Sequence, residues 1–311
     1  MTGYRPSYKV DCNNPGTDVA ADNAAAFASA SILFKGEDDA YSKKLLDHAK
    51  RLYKFADECR GKYSDSIHDA SIFYRSWNGY NDELVWGAAW LYKATGDVKY
   101  FNKAKKYYDD FSLAGKKGVY SWDDKTAGVH VLMAEFTGDK KYVDSLKGYC
   151  DYRVSGEPRS PGGMLHCGDL CQWGSLRYAS NSAFICLQAA DLVKGKSETY
   201  TKLAQGQMDY ILGGNPQGQS FLIGFGSKYP QNPHHSRSSC PDPPSTCGWD
   251  AFKSAPTNHE LIGALVGGCK SANDNYNDSR DDYFSNEVTL DYNAGFQSTI
   301  AGLQMKKCCS A

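Results

Sequence analysis

The tightest constraint on the fold is a phrase that occurs twice. TGDVKYFNKAKKYYDDF at 95–111 aligns with TGDKKYVDSLKGYCDYR at 137–153, keeping Thr-Gly-Asp, a lysine and a tyrosine in register. In the first copy Tyr100, Ala104, Tyr107 and Phe111 recur at three- and four-residue steps, and in the second Tyr142, Leu146 and Tyr149 do the same. That spacing puts them on one face of an amphipathic helix. Gly96 and Gly138 suit the left-handed residue that ends a helix, and Asp97 and Asp139 suit the N-cap of the next. Each copy therefore ends one helix, turns tightly and starts another.

Looser versions run through 41–57 and 198–212, and further helices are predicted over about 20–34, 83–95, 124–136, 174–194 and 289–305. A single helical hairpin cannot bury its own apolar face, so the expected architecture is all-α, a closed or curved α/α array; an irregular bundle is the alternative. Residues 213–288 differ. They are rich in Gly, Pro, Asn and Asp, and only 259–268 reads as helix. Long irregular loops on a regular scaffold tend to carry function.

Lys and Arg number 35 against 36 Asp and Glu, which argues against nucleic acid or an anionic membrane as the main partner. No apolar run approaches a membrane span. The 22 tyrosines and 6 tryptophans can pack a core or stack on sugar rings. Eleven cysteines favour an oxidising compartment, although MTGYRPSYKV has no signal-peptide core. Cys240 and Cys247 bracket a short loop that a disulfide could close, an odd count leaves one thiol unpaired, and no paired CxxC motifs suggest zinc.

Two stretches carry a family likeness: ILGGNPQGQSFLIGFGSKYPQNPHHSRSSCP at 211–241 and YNDSRDDYFSNEVTLDYNA at 276–294. With RPSYKVD, PGTDVAA, GKYSDSI, DELVWGAAWLYKATGD, WDDK and WGSLRYASNSAF, they make the chain resemble glycoside hydrolase family 9, the endo-β-1,4-glucanases, most closely the animal cellulases. The resemblance implies a six-hairpin α/α barrel, inverting hydrolysis of β-1,4-glucan (cellulose), no required cofactor, and a secreted protein, monomeric when complete.

Inversion needs a general acid on the leaving oxygen and a general base that activates water from the far side. By its place in the motif, Glu287 is the acid, which has to stay protonated at working pH. Asp278 is read as a site residue that positions Glu287 or sugar hydroxyls, with a loop brace as the alternative. His234 matches the family's active-site histidine. The family reads His-His-Arg here, whereas this chain reads His234-His235-Ser236-Arg237, so the sugar contact of Arg237 is displaced by one position. Trp173 and Arg177 match cleft-lining positions, as stacking surface and hydroxyl donor, or else pack in the core. Tyr283 and His235 complete the expected substrate-binding set. Asp82 and Glu83, with Asp123 as a further ligand, match a calcium site of some members; a helix cap at Asp82 is the alternative.

The expected base is an aspartate in an Asp-Ala-Gly-Asp motif ahead of RPSYK, and these 311 residues contain no such motif. The chain is therefore expected to be the C-terminal portion, 1–311, of a single catalytic domain whose early helices are missing. On its own it is expected to be inactive or to retain only weak glucan binding.

Overall fold

A computed structural model describes residues 4, 6–253 and 257–309; Arg5 of the RPSYKVD stretch and the end of the KKCCSA tail lie outside the described residues. It is all-α, and among the described residues β-structure is confined to single bridge pairs. The helices in chain order are α1 (Thr17–Phe34), α2 (Asp39–Glu58), α3 (Tyr63–Ser66), α4 (His68–Ser71), α5 (Asn81–Thr95), α6 (Val98–Asp110), α7 (Thr126–Thr137) and α8 (Lys140–Ser155). They continue as α9 (Ser175–Leu192), α10 (Ser197–Ile211), α11 (Ser236–Ser239), α12 (Trp249–Lys253), α13 (Tyr283–Asn286) and α14 (Leu290–Cys309). The chain divides into two compact units, Arg5–Tyr149 and Cys150–Ala311 with Met1–Tyr4.

In the first unit the repeated phrase works as its residues dictate. Gly96 ends α5 at φ 66° and donates to the Tyr92 carbonyl, and Asp97 caps α6 by accepting from the Lys99 amide at 3.0 Å. Gly138 does the same for α7 at φ 64°, donating to Ala134. Thr95 and Thr137 both donate back to the carbonyl four residues earlier and accept from the amide of the following aspartate. The buried stripe of the second copy is as expected, with Tyr142, Leu146 and Tyr149 fully enclosed. The first copy shifts: Tyr108, not Tyr107 or Phe111, follows Ala104 into the core. The Tyr107 hydroxyl is drawn outward, donating to Asp57 and accepting from Arg60. The face of α1 that packs on α2 and α5 is built from Ala20, Ala21, Ala24, Ala25 and Ala28. Small residues let the axes approach closely. At Gly87 of α5 any Cβ would sit 2.8 Å from the Tyr53 ring.

In the second unit α9 packs on both α10 and α14. Its contact with α14 is close, since a Cβ at Gly295 would lie 2.2 Å from the Asn181 side-chain oxygen. The predicted helix over 259–268 is absent. Gly263 and Gly268 take positive φ of 84° and 91°, and Leu265 and Val266 pair instead with Leu222 and Val288. Short α11, α12 and α13 punctuate the loop region, where the sequence showed none.

The disulfides are Cys12–Cys59, Cys150–Cys186, Cys167–Cys171 and Cys240–Cys247, the last as anticipated. Cys269 is free and buried, and Cys308 is free and exposed.

Candidate active site

Glu287 sits between two helices, capping the end of α13 three residues before α14 begins. Its extended backbone is fixed by a bridge pairing with His234, whose amide donates to the Asn286 carbonyl at 2.7 Å. The start of α9 is stitched to the same place: Gly174 donates to Phe284, and Leu176 donates to Gly267. Gly174 can be nothing else. It lies at φ 69°, and a Cβ there would meet the Tyr292 ring at 2.6 Å.

This stitching aims two donors at one carboxyl oxygen. The indole Nε1–H of Trp173 donates to Glu287 Oε2 at 2.6 Å, and the Tyr292 hydroxyl donates to the same atom at 3.3 Å. Oε1 takes no hydrogen bond among the described residues. Trp173 and Tyr283, 38% and 40% exposed, face each other at 5.0 Å and form an accessible aromatic surface beside the acid. His234 meets Tyr283 edge-on at 5.8 Å. Its Nδ1–H donates to the Arg280 carbonyl at 2.7 Å, which fixes the tautomer and leaves Nε2 without a partner among the described residues.

Arg177, His235 and Asp278, of the expected set, make hydrogen bonds within the protein. Arg177 is buried; its guanidinium pairs with Asp291 at 2.9 Å and donates to the Trp173 carbonyl, so it fixes the stacking tryptophan rather than facing solvent. His235 caps α11, its Nδ1 accepting from the Ser238 amide at 3.1 Å, and burial followed by the neighbouring His234 lowers its pKa. Asp278 accepts from the Gln231 and Asn232 amides at 2.8 and 3.0 Å, bracing the loop that delivers His234 instead of touching Glu287. The Arg237 side chain is exposed and makes no hydrogen bond or ion pair among the described residues, while its carbonyl accepts from the Cys240 amide. Tyr292 was missed from the sequence. The available signal was its place in the first turn of the helix that follows the acid.

The three expected calcium ligands lie in the first unit. Among the described residues, no three His, Cys, Asp or Glu side chains gather as a metal-holding group. Both oxygens of Asp123 accept hydrogen bonds from the Trp77 and Asn78 amides. Asp82 and Glu83 are buried side by side, with Asp82 Oδ2 accepting from the Lys125 amide at 2.5 Å. Asp82 Oδ1 and Glu83 Oε2 are buried and take no hydrogen bond from any other residue, the two carboxyls interact with each other, and burial pushes both pKa values up. Asp82 does not cap α5 with its side chain; the residue preceding that helix is Tyr80.

Residues 1–300 match the family model of glycosyl hydrolase family 9. The chain is 46% identical over 318 residues to endoglucanase B of Cellulomonas fimi, covering 97% of this chain and 30% of that protein. It is 42% identical to endoglucanase A of Bacillus pumilus, covering 97% of this chain and 46% of that one. Among solved structures, the endoglucanase of the termite Nasutitermes takasagoensis superposes with a TM-score of 0.92 at 50% identity, over 97% of this chain and 68% of that one. Endoglucanase CelQ of Clostridium thermocellum, described as complexed with cellotriose, gives 0.80 at 33% identity, over 94% of this chain and 48% of that one. The chain thus spans less than half the length of the two bacterial relatives it matches in sequence.

Proposed function

Since the chain belongs to glycosyl hydrolase family 9, we propose that it carries the acid half of an endo-β-1,4-glucanase that cleaves internal bonds of cellulose with inversion. The observation that carries this reading is the pairing of Trp173 and Tyr292 on a single oxygen of Glu287, beside an exposed aromatic surface. A pyranose ring stacks on Trp173 and Tyr283, and His234 Nε2 meets a sugar hydroxyl. Glu287 Oε1 gives its proton to the leaving glycosidic oxygen. The Trp173 and Tyr292 donors, already in place, stabilise the carboxylate that forms. Arg177, His235 and Asp278 act by holding Trp173 and His234 where they are needed. Complexes of CelQ with cellotriose and cellotetraose support a glucan as the ligand of this cleft.

An inverting reaction also needs a carboxylate about 6.5–9.5 Å from the acid, on the opposite face of the sugar. We assign that role to an aspartate outside these 311 residues, because the sequence holds no Asp-Ala-Gly-Asp motif. The chain should then bind cellotetraose yet release little reducing sugar from carboxymethylcellulose, and Glu287→Gln should leave binding intact. Absence of cellotetraose binding would remove the glucan reading; turnover unaffected by Glu287→Gln would remove the acid assignment.

The four disulfides support a secreted protein. A structural calcium ion is proposed in narrower form than the sequence suggested. Asp82 and Glu83, with two buried oxygens that take no hydrogen bond from any other residue, are the carboxylates that would meet it.

A further inference from the structure

We propose that Cys167 and Cys171 are positioning residues for the glucan site, because their disulfide fixes the turn from which Trp173 reaches Glu287. The inference rests on the reading of Trp173 as a stacking surface beside a proton donor. Trp173 is half exposed, yet its indole N–H has to meet one carboxyl oxygen, so the chain must hold it from both sides. On the C-terminal side the supports are hydrogen bonds. Gly174 donates to the Phe284 carbonyl at 3.2 Å, and Arg177 donates to the Trp173 carbonyl at 3.2 Å. The N-terminal side has no equivalent. Residues Gly168–Gln172 form a short 3₁₀ turn, and among the described residues no backbone hydrogen bond ties 167–172 to the chain outside it. The Gln172 side chain donates to Asp169, within the same turn, and Gly168, Asp169 and Leu170 are exposed.

The disulfide supplies the missing tie. Cys167 follows His166, a buried residue anchored twice: its amide donates to the Pro158 carbonyl at 3.0 Å, and its Nε2–H donates to the Lys270 carbonyl at 3.3 Å. Lys270 also holds its ammonium 4.7 Å from the centre of the Phe284 ring, which packs on Trp173 at 5.0 Å. The segment that enters the turn and the ring beside the indole are therefore referred to the same lysine. Cys171 is enclosed, stands two residues before Trp173, and is bonded to Cys167 across the turn. Opening that bond frees an exposed turn to change shape, and Trp173 moves with its end.

The span of the cross-link argues for a local role. It joins residues four apart in sequence, against 47, 36 and 7 for the other three disulfides. A disulfide restricts the unfolded chain more as its loop lengthens, so by that route this one contributes least to global stability. What it restricts is the shape of five residues that lead directly into the tryptophan.

The test is a double-mutant cycle read by calorimetric titration of the chain with cellotetraose. Cys167→Ser opens the bond but keeps the enclosed Cys171 side chain, so a loss reports the bond and not a cavity. It should weaken binding about fivefold, and Trp173→Ala about tenfold, the loss of one stacked ring. Cys167→Ser added to Trp173→Ala should weaken binding no further, because the disulfide acts through that ring. Trp173→Phe keeps the ring packing against Tyr283 and Phe284 and takes the place of Trp173→Ala in the cycle if the alanine chain does not fold. Wild-type affinity in Cys167→Ser overturns the inference. Equal loss from Cys167→Ser in both backgrounds also overturns it, as the mark of a general structural role. So does a Cys167→Ser chain that does not fold, which would make the bond a global staple. A wild type that binds no cellotetraose overturns the glucan reading, and this inference falls with it.

Discussion

At the scale of single residues, the site depends on a glycine as much as on its acid. Gly174 holds a left-handed backbone against the face of Tyr292, and that contact sets the entry of α9 and with it Trp173. Gly174→Ala is expected to cost about 2–3 kcal/mol, combining positive-φ strain with a clash against the end of the buried Tyr292 side chain. A urea unfolding curve would show it, and a loss below about 0.5 kcal/mol would mean that Tyr292 yields without strain. Glu287, Trp173, His234 and Tyr283, named from a dense motif, are brought together in the structure. Arg177 was read as a hydroxyl donor or a core residue, Asp278 as a positioning residue or a loop brace, and His235 as a substrate contact; each makes hydrogen bonds within the protein. A motif records which residue is needed but not which way its polar end faces. An arginine that positions a tryptophan reads the same as one that touches sugar.

Elements were legible where local chemistry decides them and illegible where tertiary pairing does. The Thr-Gly-Asp turn is settled by a left-handed glycine, a threonine and a cap within three residues, so both copies could be read directly. The 259–268 segment has apolar spacing compatible with a helix, but its glycines and its pairing with Leu222 and Val288 keep it extended. No local signal announces partners that lie more than twenty residues away. The contact between Tyr108 of α6 and His130 of α7 supplies a pH prediction. His130 of α7 is fully buried, its Nε2–H donating to the Lys116 carbonyl and its Nδ1 accepting from the Tyr108 hydroxyl. Burial lowers its pKa from 6.5 to about 4. The unfolded chain therefore takes up the proton first, so stability is full above about pH 6.5 and is lost as pH falls towards 4. The loss should reach about 3 kcal/mol, and in His130→Asn the same acid titration of the unfolding midpoint should be flatter by that amount. An identical pH slope in both proteins would show that the ring titrates without resistance. At the start of α5, the buried oxygens of Asp82 and Glu83 make a second prediction. Calcium at a hundredfold excess over its dissociation constant should stabilise the chain by about 3 kcal/mol, reversibly with EDTA, and a melting temperature indifferent to both would dismiss the ion.

For the molecule as a whole, the all-α class followed from the repeats alone, because hairpins with one apolar face must find neighbours. The division into two compact units did not, since nothing in the composition shifts at Tyr149 and the boundary falls inside α8. Every residue assigned to proton donation and sugar stacking belongs to the second unit, Cys150–Ala311. What the sequence lacks is the motif that would prime the water. On the reading proposed above, this chain supplies the proton donor and the base lies outside these 311 residues. Azide tests this directly, because a small anionic nucleophile needs no base to attack the anomeric carbon. The measurement is bond cleavage in cellohexaose by this chain, with and without azide, beside Glu287→Gln. The account predicts no cleavage above background without azide, and azide-dependent formation of a glycosyl azide that Glu287→Gln abolishes. Steady release of reducing sugar by the wild-type chain in the absence of azide would contradict it.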